Sequence, residues 1–286
     1  MDRRDFLKTF GIAGGALIAG NRGLNASETA EDQEFIGILV DTTRCEGCRT
    51  CEMVCAEAND LPEPDWEVDI LETKRRTSET QFTLVNGYKT ENGEVYVKSQ
   101  CMHCTQPACA SACLTKAMLK TKQGPVVWQG NKCMGCRYCM ISCPFDIPKF
   151  EHHSANPRIR KCTMCWARLQ EGKLPACAEN CPSDAVLFGK RRDLIEKARE
   201  RIYQEPDNYI HYIYGEHEVG GTGYLYLANV PFEQLGFPTN LDNRPVPELT
   251  TDFLYGVPIV LTLWPAFLLA LSNSTKSKVN SPESEV

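Results

Sequence analysis

Sixteen cysteines lie within one stretch of the chain, and their spacing is the strongest chemical pattern in the sequence. They form four groups, and each group ends with a cysteine that follows the previous one after three other residues. No cysteine precedes Cys45 or follows Cys181, so the thiols belong to one functional region. The four groups are Cys45, Cys48, Cys51 and Cys55; Cys101, Cys104, Cys109 and Cys113; Cys133, Cys136, Cys139 and Cys143; and Cys162, Cys165, Cys177 and Cys181.

Closely spaced thiols serve three kinds of chemistry: disulfides, zinc sites and iron–sulfur clusters. Cysteines two residues apart on a tight loop point at a shared centre, so neighbouring pairs cannot easily form unstrained disulfides. A zinc site uses two Cys-x2-Cys pairs, which leaves no role for the further cysteines of each group. The run C-x2-C-x2-C-x3-C-P of group three is typical of [4Fe–4S] cubanes: three thiolates hold one cluster and the fourth ligates its neighbour. Four groups predict four [4Fe–4S] clusters, with no cysteine left over.

Strand-like runs lead into or follow the cysteine groups, as in residues 34–45, 94–101 and 184–189. Gly47 and Gly135 are predicted to relieve crowding where the backbone bends around a cluster. Pro144 and Pro182 are predicted to end short helices that carry the fourth cysteines. The order of strand, cysteine loop, short helix and strand predicts an α+β fold: a doubled ferredoxin-like core of the bacterial two-cluster type, with insertions.

Three segments outside the cysteine groups have simpler interpretations. Residues 61–92, rich in Pro, Glu and Thr, are an insertion that covers a cluster or meets a partner. Arg191–Ile202 predicts an amphipathic helix with a solvated face. Residues 217–227 contain three glycines in neither a phosphate-loop nor a dinucleotide pattern, which indicates a turn before a strand.

The first 26 residues have the pattern of a twin-arginine export signal. Arg3 and Arg4 precede a Gly- and Ala-rich apolar stretch at residues 10–20, which is too short to span a bilayer. A short buried helix is the alternative, but the order of paired arginines, apolar stretch and polar tail favours export. A chain with iron–sulfur clusters must be metallated inside the cell and cross intact, so the two patterns support each other.

Nineteen consecutive uncharged residues, Phe253–Leu271, predict a transmembrane helix. A helix of this length reaches about 28 Å, close to the thickness of the hydrocarbon core. A buried core helix is the alternative, but few core helices lack every charge over this length. Lys276 and Lys278 follow the segment, which predicts a cytoplasmic C-terminus.

The charge distribution gives no sign of a nucleic-acid partner, because the net charge is −6 and the basic residues are scattered. His103 lies inside group two, where it is predicted to tune or shield a cluster. Some basic residues adjoin cysteines and either offset cluster charge or are ordinary surface charges. These residues are Arg44, Arg49, Lys132, Arg137 and Lys161.

The motifs resemble those of the four-cluster, ferredoxin-like electron-transfer subunits of membrane-bound oxidoreductases, over residues 35–235. The chain is similar in particular to the exported iron–sulfur subunit of hydrogenase-2-type [NiFe]-hydrogenases. This similarity rests on the twin-arginine start, the runs QCMHC and CMGCRYCM, the block YGEHEVGGTGYLYLANVPFEQLGFP and one C-terminal helix. The β subunits of formate dehydrogenases are similar in their cluster motifs and C-terminal helix.

The resemblance also implies which cysteines share a cluster, which spacing alone does not give. In this family the outer groups exchange ligands with each other, and so do the inner groups. No cysteine is replaced by tryptophan, so four cubanes are expected rather than a three-iron variant. The implied sets are Cys45, Cys48, Cys51 and Cys181 (cluster 1); Cys101, Cys104, Cys109 and Cys143 (cluster 2); Cys133, Cys136, Cys139 and Cys113 (cluster 3); and Cys162, Cys165, Cys177 and Cys55 (cluster 4).

The resemblance implies an electron-transfer subunit that is not itself an enzyme. Its partners would be a catalytic subunit, first of all a [NiFe]-hydrogenase, and an integral membrane subunit that reacts with quinone. The resemblance also implies that the glycine-rich residues 217–227 contact the catalytic subunit. A β subunit of formate dehydrogenase or another molybdoenzyme is one alternative; a non-redox maturation protein that binds clusters or zinc is another. The expected location is the periplasmic face of the cytoplasmic membrane, with a single-pass anchor. The expected organisation is a signal segment (1–26), a four-cluster domain (34–190), a partner-contact extension (191–250), a transmembrane helix (253–271) and a cytoplasmic tail (272–286).

Overall fold

The computed structural model describes residues 34–279, without the side chains of residues 68, 69, 252 and 274–279. The predicted signal segment lies outside the described residues. The strands are β1 (Ile36–Asp41), β2 (Leu84–Thr90), β3 (Gly93–Ser99), β4 (Met118–Lys120), β5 (Val126–Trp128), β6 (Lys149–Phe150), β7 (Ile159–Arg160), β8 (Val186–Lys190) and β9 (Tyr224–Leu227). The helices are α1 (Thr50–Ala58), α2 (Ala108–Ser111), α3 (Tyr138–Ile141), α4 (Trp166–Gln170), α5 (Ala176–Glu179), α6 (Arg191–Gln204) and α7 (Thr251–Val279).

A three-stranded sheet with the order β8-β1-β9 separates the cysteine loops from a covering helix. β1 pairs antiparallel with β8 and parallel with β9. Successive strand residues face opposite sides of a sheet. Ile38 and Val40 therefore pack on the side of the cysteines, whereas Leu39 packs against Leu194 and Ala198 of α6. The charged positions of α6 remain largely exposed, as its amphipathic sequence predicts.

The pairing of distant segments brings the outer cysteine groups together and the inner groups together. β1 leads into group one and β8 follows group four, so their pairing places these groups at one sheet. Helix α1 of group one packs against α5 of group four. Helix α2 of group two packs against α3 of group three. Groups one and four, the first and last along the chain, therefore lie together in space. Groups two and three, which lie between them in the sequence, also lie together.

Four of the helices, α1, α2, α3 and α5, carry the third cysteine of their group, and of these only α1 also contains a fourth cysteine, Cys55. The prediction that every fourth cysteine lies on a helix is therefore wrong for groups two to four. In groups three and four, Pro144 and Pro182 follow the fourth cysteine, and a proline disfavours helical backbone in the preceding residue. No proline follows Cys55 or Cys113, and the two groups differ, because α1 continues to Ala58 whereas α2 ends at Ser111.

The inserted segment at residues 61–92 folds over group one. Its last part is β2, which forms a hairpin with β3. The buried carboxylate of Glu52 on α1 accepts hydrogen bonds from Arg75 at 2.7 and 3.1 Å and from the backbone N–H of Val85 at 2.7 Å. Phe82 packs in one buried cluster with Cys55. The insertion therefore covers a cysteine, which is one of its two predicted roles.

The glycine-rich segment before β9 lies against group two. The backbone N–H of Gly223 donates to the carbonyl oxygen of Met102 at 2.9 Å, and that of Thr105 donates to Gly221 at 3.0 Å. A Cβ atom on Gly223 would lie 3.1 Å from the carbonyl oxygen of His103, so a larger residue would crowd this contact. The predicted turn before a strand is confirmed, and the strand belongs to the central sheet.

Helix α7 is exposed along its apolar length. The most apolar 18 residues within Val246–Asn273 have a mean hydropathy of 2.0, and none of them is buried. Pro258 and Pro265 lie inside the helix, as lipid-embedded helices tolerate. By length and composition, α7 is a candidate membrane span.

Candidate metal centres

Each cysteine group bends its backbone at the same place, directly before its second cysteine. The residues there have a positive φ: 69° at Gly47, 49° at His103, 74° at Gly135 and 55° at Met164. Glycine adopts this conformation freely, whereas a residue with a side chain loses about 1–2 kcal/mol. His103 and Met164 are buried to 0% and 1% exposure, so close packing holds them. In the sequence only the two glycines indicate this bend directly, and the shared position in the repeat is the signal for His103 and Met164.

Electrostatic neighbours identify the thiols that lie close to one another. The nearby Cys48 and Cys181 raise the pKa of Cys45, and Cys45 in turn raises the pKa of Cys51. These four cysteines come from groups one and four and are the members of the first implied set. The other three sets have the same kind of contacts: Cys55 with Cys162, Cys165 and Cys177; Cys104 with Cys101, Cys109 and Cys143; and Cys139 with Cys113, Cys133 and Cys136.

Two cavities have all four thiols of one set in their walls. One cavity is lined by the set of Cys55, Cys162, Cys165 and Cys177, together with Lys98 and Tyr224. The other is lined by the set of Cys113, Cys133, Cys136 and Cys139. No three His, Cys, Asp or Glu side chains within residues 34–279 are close enough to share one metal ion. A cubane is less demanding, because each of its thiolates binds a different iron.

Contacts between sets place them in an order. Cys51 of the first set lies near Cys177, Cys162 lies near Cys101, and Cys109 lies near Cys139. The order is therefore the set of cluster 1, then those of clusters 4, 2 and 3. Each set lies near the next, which is the arrangement that stepwise electron transfer requires.

Burial raises the pKa of most of these thiols, because a thiolate loses its hydration inside the protein. The pKa is about 11 for Cys45 and Cys139 and about 12 for Cys109 and Cys162. Cys113 differs from the other thiols. Burial raises its pKa, but several hydrogen-bond donors, first of all the backbone N–H of Met118, outweigh this effect, so its pKa lies below the ordinary value. Since iron binds the thiolate, cluster insertion must release protons from the buried thiols.

Buried lysines supply positive charge to this region. Lys98 is 1% exposed and Lys161 4% exposed. The ammonium nitrogen of Lys161 lies 3.7 Å from the sulfur of Cys101. Lys120 is partly buried, which lowers its pKa to about 8, and nearby Cys104 acts in the opposite direction. Of these three lysines only Lys161 is predictable from the sequence, because it adjoins Cys162, whereas Lys98 and Lys120 are not adjacent to a cysteine.

The other basic residues beside cysteines have different roles. Arg49 is buried and binds Glu52 at 3.0 Å, so it stabilises the insertion. Arg44 lies 3.7 Å from Asp41. The remaining two, Lys132 and Arg137, are exposed.

His103 offers a hydrogen-bond donor to whatever group two binds. Its Nδ1 accepts a hydrogen bond from the Val126 N–H at 2.8 Å. Burial strongly lowers the pKa of His103, and the nearby Lys161 adds to this effect, so the ring is neutral with its proton on Nε2. Nε2 is buried and has no partner among the described residues. A sulfur-rich group between the thiols would accept this hydrogen bond, so the chain fits an iron–sulfur cluster here.

Comparison with known proteins points to the same chemistry. The family model of a 4Fe-4S dicluster domain matches residues 93–191, which contain groups two to four. A protein of Nitratidesulfovibrio vulgaris is 46% identical over 97% of this chain and 78% of its own length.

Two further relatives have informative names. The hydrogenase-2 operon protein HybA of Shigella flexneri is 35% identical over 83% of this chain and 84% of its own. The iron–sulfur subunit of the nitrate-inducible formate dehydrogenase of Escherichia coli is 32% identical over 71% of each chain. With its clustered thiols and buried cations, this chain belongs to the family of iron–sulfur electron-transfer subunits that includes these two relatives.

Proposed function

We propose that this chain relays single electrons through four [4Fe–4S] clusters, from a periplasmic catalytic subunit to an integral membrane subunit that reacts with quinone, or in reverse. The ordered contacts among its thiols are the main support. The proposed ligands are Cys45, Cys48, Cys51 and Cys181; Cys55, Cys162, Cys165 and Cys177; Cys101, Cys104, Cys109 and Cys143; and Cys113, Cys133, Cys136 and Cys139. Their nested arrangement would form two ferredoxin-like halves.

A bound [4Fe–4S] cluster supplies reversible one-electron chemistry at a potential set by its surroundings. The chain would hold the clusters near one another and balance part of their charge with buried lysines. Backbone N–H groups contribute: that of Met164 donates to the sulfur of Cys162 at 3.3 Å, and that of Met118 to the sulfur of Cys113 at 3.4 Å. These roles require no substrate-converting site, so we propose that the chain is not itself an enzyme.

The position of α7 suggests which end of the cluster series faces the membrane. The turn before α7, Val246–Thr250, contacts α2 of group two, and Gln106 donates to Glu248 at 3.3 Å. The neighbouring set of cluster 3 is surrounded by exposed apolar side chains, of which Leu114 is 87% and Ile141 81% exposed. We assign this end to the membrane subunit and the cluster 1 end to the catalytic subunit.

A [NiFe]-hydrogenase is the favoured catalytic partner. The hydrogenase-2 relative is more similar than the formate dehydrogenase relative, with 35% against 32% identity, and covers more of the chain, 83% against 71%. The proposed location is the periplasmic face of the cytoplasmic membrane, with α7 as the anchor and the C-terminus in the cytoplasm. A formate dehydrogenase complex is the second candidate, because its iron–sulfur subunits share the cluster motifs.

Purification of the tagged full-length chain from detergent-solubilised membranes tests this assignment. We expect a large catalytic subunit to co-purify, and the preparation to reduce a dye with hydrogen as the electron donor. Dye reduction with formate and not with hydrogen would assign the chain to the second candidate. Recovery without any redox partner, and without electron transfer from either donor, would contradict the proposed role.

A variant ending at residue 250 is the matched control for the anchor. In cells without the partner subunits, we expect the full-length chain in the membrane fraction and the variant in the soluble fraction, with equal iron content. The variant loses the exposed apolar helix, whose transfer into lipid is favourable. Soluble full-length chain would show that α7 does not anchor it.

A further inference from the structure

Lys98 is a buried cation without a carboxylate partner in the part of the chain that the structure describes. It belongs to β3 and is 1% exposed. No ion pair involves it within residues 34–279, although several other basic residues there pair with acids. An isolated ammonium is costly to bury, so it must be compensated by a nearby anion.

The side chain of Lys98 is held in one position by neighbouring groups. Its ammonium nitrogen donates to Oε1 of Gln100 at 2.8 Å and lies 5.4 Å from the ring centre of Tyr224. The amide nitrogen of Gln100 donates to the hydroxyl of Tyr226 at 2.5 Å. That hydroxyl donates to the backbone carbonyl of Lys98 at 2.9 Å. This closed ring of hydrogen bonds fixes the cation with respect to the sheet.

The groups that face Lys98 are thiols of two different sets, which become anionic thiolates when they bind iron. Lys98 lines the cavity formed by the four thiols of cluster 4. Its electrostatic neighbours include Cys177 and Cys162 of that set and Cys51 of the cluster 1 set. Lys98 therefore lies at the junction between two proposed clusters, and Cys51 and Cys177 are themselves neighbours.

Lys161 occupies a comparable position at the next junction. It is 3.7 Å from the sulfur of Cys101 and donates to the carbonyl oxygen of Cys162 at 2.9 Å. The basic residue in the walls of the cluster 3 cavity, Arg137, is exposed. Fixed buried charge is thus concentrated at the first two junctions of the series.

Resting on the proposed function, we propose that Lys98 is an electrostatic tuning residue that raises the reduction potentials of clusters 1 and 4 together. An electron added to a cluster increases its negative charge, and a fixed buried cation stabilises that charge more than water-screened surface cations do. Because one ammonium serves both clusters, their potentials are expected to move together when it is removed.

The test is a redox titration of the anaerobically purified full-length chain, followed by electron paramagnetic resonance. In Lys98→Met and Lys98→Gln, we expect the ratio of reduced to oxidised form at a fixed potential to fall at least tenfold for two of four clusters. This corresponds to a negative shift of about 59 mV for a one-electron couple. Lys98→Arg should retain the original potentials, and so should Lys132→Met, which removes an exposed lysine beside Cys133.

The outcomes separate this inference from the proposed function. If the unaltered chain contains no reducible clusters, the proposed function fails. If it contains four and the neutral variants shift none or all of them equally, only the role of Lys98 fails. If both neutral variants lose clusters 1 and 4 but Lys98→Arg keeps them, the positive charge at this position is needed to hold these clusters, which supports the inference. If Lys98→Arg loses the same two clusters, the charge is not the cause and the inference is overturned.

Discussion

Replacing Cys181 by alanine is expected to remove the cluster of group one, although Cys181 is the last cysteine of group four. The thiol of Cys181 is a neighbour of Cys45, whereas the other cysteines of group four lie around Cys55. Loss of one of four cubanes should lower the iron content from about sixteen to about twelve per chain. Ser183→Ala is the matched control, because the Ser183 hydroxyl lies 3.8 Å from the Cys181 sulfur and is not a proposed ligand.

Double variants show which cluster is lost. Cys181→Ala combined with Cys45→Ala should lose no more iron than either single variant, because both thiols serve one cluster. Cys181→Ala combined with Cys162→Ala should lose two clusters and retain about eight irons. The reverse pattern, with a single loss for the second pair and a double loss for the first, would show that each group binds its own cluster.

Glu52→Ala is expected to destabilise the chain by about 3–5 kcal/mol, because it leaves buried guanidinium groups without their anion. Glu52 is 2% exposed and accepts hydrogen bonds from Arg49, Arg75 and Gln81, and from the Val85 backbone N–H at 2.7 Å. These contacts join α1 to the insertion. For a chain of this size, the melting temperature should fall by roughly 10 °C.

Anaerobic thermal denaturation of the cluster-loaded protein measures this effect. Glu57→Ala is the control, since Glu57 lies on the same helix and is exposed. Glu52→Gln keeps the side-chain shape and some hydrogen bonds but removes the charge. Its melting temperature should therefore lie between those of Glu52→Ala and Glu57→Ala. A melting temperature for Glu52→Ala within about 2 °C of the Glu57→Ala value would correspond to less than about 1 kcal/mol and would show that the buried ion pairs contribute little.

Local features of the fold were predictable from the sequence, because they depend on short-range patterns. The alternating or apolar runs before Cys45 and Cys101 are β1 and β3, and Arg191–Ile202 lies within α6. The ends of the short helices were less predictable. Proline after Cys143 and Cys181 disfavours helical backbone at these two cysteines, but Cys113 also lies outside its helix and has no proline after it.

Long-range features could not be predicted from spacing. The proximity of Cys181 to Cys45 depends on the pairing of β1 with β8, and only the family resemblance suggested it. Lys98 reads as an ordinary strand lysine, and it is buried because it lies beside Tyr224 and the four thiols of the cluster 4 set. Glu52 likewise reads as a surface residue of α1 until the insertion folds over it.

Determination of iron, acid-labile sulfide and zinc in the anaerobically purified full-length chain tests the central claim most directly. Four cubanes on sixteen cysteines predict about sixteen irons and sixteen sulfides per chain, with no zinc and with magnetic interaction between neighbouring reduced clusters. About eight irons or fewer, or zinc bound in their place, would contradict a continuous path of four clusters through this chain.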